Sequence, residues 1–166
     1  MRVVTRYGGS LAAANAERPR LERRFLFADD RYLVIADRTA DPGGVPRAPT
    51  WLLHGNGGGT SGGSYEPTGA GGRWSIGGAR LDGAFASDAG PLAFATAEAV
   101  HEAAGGQQRT HTTLLATAPA RPAVRGLQLV YPSPAGASPP VSADLATPDA
   151  ATLVLVDPAG DRRLFA

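Results

Sequence analysis

Cysteine and lysine are both absent from the 166 residues. Without cysteine there is no disulfide framework, no thiolate zinc site and no cysteine nucleophile. Without lysine there is no Gly-Lys-Ser/Thr phosphate loop. Every basic residue is therefore arginine. GC-rich coding accounts for that pattern and for the load of Ala, Gly and Pro, while arginine forks also suit carboxylate or sulfate recognition; composition leaves both accounts open. An excess of one charge is missing too. Sixteen basic residues face fifteen acidic ones, which leaves no electrostatic footprint for nucleic acid or an anionic membrane surface. No apolar run is long enough to span a bilayer. The first twenty residues, MRVVTRYGGSLAAANAERPR, contain no continuous apolar core of the kind a signal peptide needs.

What is present reads as strands. The densest stretch is 21–55, LERRFLFADDRYLVIADRTADPGGVPRAPTWLLHG. Within it, LERRFLF alternates in side-chain character, RYLVIAD is rich in β-branched and aromatic residues, and TWLLH restarts the pattern after a break at DPGG. Strand side chains point to opposite faces with a period of two, so each run can bury one face and wet the other. Pro fixes φ and Gly permits positive φ, which makes DPGG a turn. Further strands are predicted at 2–6, 73–76, 79–87, 92–96, 109–117, 126–131, 152–156 and 162–165. The Gly/Ser/Thr-rich 55–72 and the Pro/Ala/Ser-rich 133–149 read as loops. AEAVHEAA at 97–104 is built from good helix formers, but it is too short for a stable helix and GG follows it; it is expected to be strand, or loop with one helical turn.

Together these segments predict an all-β fold, an antiparallel β-sandwich of about ten strands in one domain over 1–166. No strand–helix alternation suggests a parallel sheet. The chain opens on a strand with no evident partner before it, which predicts a cut edge at the N-terminus, with a start codon at Met1 as the other reading.

Several residues invite chemical readings. The stretch LLHGNGGGTSGG places Ser61 in a formal Gly-x-Ser-x-Gly match, the mark of a serine hydrolase. A nucleophile elbow needs a strand directly before the serine and a helix after it, whereas glycine-rich chain flanks Ser61 on both sides; a loop between strands is the better account. Of the three histidines, His54, His101 and His111, none are spaced as a helical metal pair and no carboxylate cluster accompanies them, so no metal site and no cofactor is predicted. His54 has a side chain suited to removing a proton near neutral pH, and it competes as a candidate base with a half-buried, hydrogen-bonded role on its strand. Tyr65 and Arg73 follow it in chain read as mobile, with no spacing rule linking the three. Trp74, Tyr65 and Arg73 are the candidates for sugar contact, with core packing the stronger expectation for Trp51 and Trp74.

The basic strand ending in FLF, the YLVIADR strand, the short Pro/Gly connection and WLLH resemble the C-terminal β-domain of heparinase II/III-like polysaccharide lyases. The resemblance is densest at 23–37 and 51–54 and weaker through 81–85 and 111–132. It implies a β-sandwich belonging to an enzyme with an upstream helical toroid, which cleaves uronic-acid polysaccharides by β-elimination in the periplasm or outside the cell. The family's Asp-His-x-Asp and Ala-His-Asn stretches are missing here, so no catalytic residue carries over. The expected role is support of a catalytic sheet and substrate cleft. The rival from another class is a free-standing module that binds carbohydrate through exposed aromatics. Far-UV circular dichroism is expected to show sheet signal with little helix; a strongly helical spectrum would overturn the fold assignment.

Overall fold

The computed structural model describes residues 2–7, 18–28, 31–102, 105–137, 141–147, 150–156 and 162–165, with side chains described for 18–27, 31–102 and 105–137. The described residues contain no helix and thirteen strands. In chain order these are β1 (Arg2–Tyr7), β2 (Arg20–Ala28), β3 (Tyr32–Ala40), β4 (Thr50–His54), β5 (Ser64–Thr68), β6 (Gly71–Ile76) and β7 (Ala79–Ser87). They continue with β8 (Ala93–Glu102), β9 (Gln108–Thr117), β10 (Ala123–Pro134), β11 (Val141–Thr147), β12 (Ala150–Val156) and β13 (Arg162–Phe165).

All pairings are antiparallel. A seven-stranded sheet runs β1-β2-β3-β10-β7-β6-β5, and a three-stranded sheet runs β4-β9-β8. A third sheet, β11-β12-β13, lies against β7 and β10. The all-β antiparallel sandwich expected from periodicity is therefore present. Its three consecutive opening strands divide between layers: β2 and β3 pair with each other, while TWLLH crosses to pair with β9.

Strand pairing decides what the sequence reading left open or read as loop. Of the alternatives for 97–104, strand is the one present over 97–102, because β8 pairs with β9 through ten consecutive residues, and that ladder outweighs the local propensity of a short Ala/Glu run. The expected loop 133–149 is shortened from both ends, since β10 runs on to Pro134 beside β7 and Val141–Thr147 pairs with β12. The glycine-rich 55–72 contains β5, whose Pro67 is tolerated because β5 is an edge strand. Residues 8–17, 29–30 and 157–161 lie outside the described residues.

One core fills the space between the first two sheets. Trp51, Trp74, Phe85, Leu114, Ala116 and Val124 are buried there, with Leu53, Leu81 and Leu92 packed around them. Trp51 and Trp74 fit only because the backbone opposite carries no side chain. A Cβ at Gly126 would overlap the indole of Trp51, and one at Gly55 would overlap that of Trp74. Alternation on the same strands puts Tyr32, Val34, Leu127 and Leu129 into a second cluster on the other side of the seven-stranded sheet.

A buried carboxylate ties these layers. Asp37 on β3 takes a bidentate ion pair from Arg23 on β2, with Nε and Nη2 each at 2.7 Å. It also accepts the Trp51 indole N–H at 2.8 Å and the Gln128 amide at 3.2 Å. Four strands from two sheets thus meet at one side chain that is only 3 % exposed. Replacing Asp37 with Ala leaves the Arg23 charge and the Trp51 and Gln128 donors without their acceptor. Asp37→Ala is expected to cost about 3–5 kcal/mol in urea unfolding, with Asp37→Asn costing less; a loss indistinguishable from that of an exposed-site control would refute the assignment.

Candidate functional site

The three histidines, scattered in sequence, come together on the outer face of the three-stranded sheet. His54 on β4 lies opposite Thr113 of β9, and Ala99 of β8 lies opposite His111 of β9. The register therefore sets His54, His111 and His101 on a diagonal across the three strands. His54 Nδ1 is 3.2 Å from His111 Nε2 and 2.9 Å from the Thr113 hydroxyl. On the other side, His111 Nδ1 is 2.9 Å from His101 Nδ1. His111 is buried, His101 half-buried and His54 exposed.

The row is a chain of imidazoles and not a convergent ligand set. His111 meets one neighbour through each ring nitrogen, so the three rings do not aim nitrogens at a common point. Among the described residues no group of three His, Cys, Asp or Glu side chains is arranged to hold a metal ion. Each short N···N contact accommodates one proton, and a charge on one ring opposes a charge on the next. Burial, and then the neighbouring His101 and His54, hold the His111 imidazolium below its usual range.

The other candidate residues do not join this row. Trp74 is 2 % exposed, and its indole N–H donates to the Thr112 carbonyl at 2.8 Å. Tyr65 packs its ring on Trp74, centroids 5.1 Å apart, and burial raises the pKa of its hydroxyl. Trp74 lies in the core cluster and the half-buried Tyr65 packs against it. Arg73 neighbours Trp74 on β6 and so points to the opposite face of the sheet. There it pairs with Asp82, Nε to Oδ1 2.7 Å, and with Glu66 at 3.5 Å. His54, Trp74 and Arg73 thus occupy three separate faces.

Ser61 sits in a tight loop. Its hydroxyl donates to the Gly58 carbonyl at 2.7 Å and accepts the Gly63 N–H at 3.3 Å, and the residue is buried. The loop bonds to β9 beyond the end of β4: Thr112 N–H reaches the Gly57 carbonyl at 2.9 Å, and Thr60 N–H reaches the Thr110 carbonyl at 3.1 Å. The glycines let that backbone approach β9 closely, and the Gly-x-Ser-x-Gly match is a turn that extends a sheet edge.

No family model matches the sequence, and no curated protein matches it. Solved structures do. A heparinase III gene product superposes with a TM-score of 0.70 at 13 % identity, over 99 % of this chain and 25 % of that one. Heparan sulfate lyase HepC from Pedobacter heparinus superposes with a TM-score of 0.67 at 15 % identity, again over 99 % and 25 %. Another heparinase III structure gives 0.64 at 9 % identity, over 99 % and 27 %. The fold is that of a heparinase III segment. The chain spans about a quarter of the length of each of these proteins, and the two tryptophans, the Asp37 hub and the histidine row lie within the superposed span.

Sequence reasoning missed the histidine row because its members are 47 and 10 positions apart, and only the pairing of β4, β9 and β8 juxtaposes them. The pH consequence has a definite sign. The folded state binds a proton at His111 less readily than the unfolded chain does, so stability is full above the unfolded value of 6.5 and falls as pH drops through the folded value. The thermal midpoint is expected to decline from pH 7 to pH 5, with a smaller decline in His111→Gln. Equal slopes in the two proteins would refute the role of the row.

Proposed function

We propose that this chain is the β-sandwich portion of a heparinase II/III-like polysaccharide lyase, acting as structural support for the catalytic sheet and a wall of the substrate cleft. The observation that carries this reading is the superposition of 99 % of the chain on a quarter of heparinase III at a TM-score of 0.70. Two further findings support it. The strand residues that suggested the family from sequence, Arg23, Asp37 and Trp51, form the hydrogen-bonded hub of the sandwich. Among the described residues the candidate site residues are engaged in packing and pairing, with no set of base, acid and carboxylate-neutralising group gathered at one place.

On this reading the partner of the domain is an upstream catalytic part of the same polypeptide. The substrate of the whole enzyme is a uronic-acid polysaccharide, cleaved by β-elimination, and the protein works in the periplasm or outside the cell, where such polymers are met. His54 is the residue of this segment best placed to touch chemistry, since it is exposed at the end of the histidine row. The domain alone is inactive.

The test is the size and activity of the native polypeptide. An immunoblot of the source cell against this domain is expected to show a band about four times the 17.0 kDa of the chain, from the one-quarter coverage of its structural relatives. That full-length protein should release unsaturated uronate ends from heparan sulfate or a related polymer, and the 17.0 kDa chain should release none. A native band at 17.0 kDa would overturn the proposal.

A further inference from the structure

The histidine row joins three rings through two contacts, and counting protons over its nitrogens fixes what it can do. His54 Nδ1 meets His111 Nε2 at 3.2 Å, and His111 Nδ1 meets His101 Nδ1 at 2.9 Å. Each contact is a hydrogen bond only while it holds one proton. With none, two lone pairs face each other; with two, N–H is set against N–H. The remaining protons sit on the outer nitrogens, His54 Nε2 and His101 Nε2. Neutral imidazoles carry one proton each, so in the neutral row one outer nitrogen is protonated and the other is bare. A single added proton fills the bare end and leaves both contacts intact. A second has no place unless a contact breaks.

We infer that His54, His111 and His101 form a proton relay across the three-stranded sheet, in which a proton taken up at the outer nitrogen of one end ring leaves from the outer nitrogen of the other. With His101 charged, its Nδ1–H bond breaks as that proton bonds to His111 Nδ1. The His111 Nε2–H bond breaks next, its proton passes to His54 Nδ1, and His54 releases a proton from Nε2. Every step moves one proton within one contact, no electrons change hands, and both contacts survive throughout. Burial and the two neighbouring rings disfavour charge on His111, so the charge rests on the ends and crosses the middle. The Thr113 hydroxyl, 2.9 Å from His54 Nδ1, both donates and accepts, which keeps that nitrogen partnered in either state. Neighbouring strands lie about 4.8 Å apart, so the relay carries charge about 10 Å, from β8 to β4. Arg109, opposite His101, is the other charged side chain on this face of β4, β8 and β9 among the described residues. Glu98 and Glu102 point to the opposite face, where Glu98 takes the Thr110 hydroxyl at 2.8 Å. No carboxylate of these strands therefore pins the proton to one ring. Every contact in the relay lies within this chain, and none depends on the lyase reading.

Nitrogen-15 NMR of the chain, labelled in its histidines, tests this from pH 8.5 to pH 4.5. Scalar coupling through the hydrogen bonds is expected between His54 and His111 nitrogens and between His111 and His101 nitrogens. In the neutral row the Nδ1–H occupancies of His54 and His101 should add to one. On acidification the two end rings should share one first midpoint, as coupled sites do, and the second proton should bind about tenfold less readily or worse. His111→Gln removes the middle ring, so His54 and His101 should then titrate separately, each near the ordinary histidine value of about 6.5. The couplings, occupancies and shared midpoint are read on the unaltered chain, so the test stands even where the variant fails to fold. Absent couplings would overturn the relay, as would end-ring occupancies that do not sum to one. Separate midpoints for the end rings that His111→Gln leaves unchanged would do the same.

Discussion

The Asp37 carboxylate is the point on which this sandwich depends. A lone ionised carboxylate in a protein interior is costly, and it is tolerated only where donors meet its lone pairs. Here the donors are an arginine fork from β2, an indole from β4 and an amide from β10. Because those donors sit on different strands, satisfying the carboxylate also sets the register of β2 and β10 against β3 and anchors the second sheet over the first. The Trp51 indole then needs Gly126 beneath it, since any side chain there would overlap the ring. Register, layer spacing and a glycine requirement follow from one buried charge.

Residues that looked chemical in sequence turn out to be needed for the frame. Trp74 closes the core and caps the Thr112 carbonyl. Ser61 closes a glycine turn that continues the edge of β9. Arg73 neutralises Asp82 on the far face. In each case a polar side chain has a partner within hydrogen-bond reach, and such pairing stabilises a layer. The histidine row differs, because it runs from a buried ring to an exposed one and carries a protonation equilibrium that the fold itself biases.

The sheets also differ in how their edges are finished. The short, proline-marked β4 and β5 end their sheets, whereas β8 runs for ten residues and carries Glu98, His101 and Glu102 among its small and apolar side chains. A three-stranded layer laid on a seven-stranded one leaves part of the wider sheet to be covered by something else. That asymmetry is a property of topology and not of any single residue.

Much of the architecture was legible along the chain. Two-residue alternation, β-branched runs and Gly/Pro punctuation marked most strands and the antiparallel class, because these signals act between near neighbours. The motif at 21–55 named its own importance through Arg23, Asp37 and Trp51, although only the fold showed that their joint role is a hydrogen-bonded hub. What propensity did not determine was decided by pairing. Residues 97–102, 141–147 and 64–68 are strand because the next strand of each hairpin, β9, β12 and β6, pairs with them. His54, His101 and His111 form a row only because three strands place them so. Propensity and period are sums over adjacent residues, while register is a contact between distant ones, and the site lies in the register.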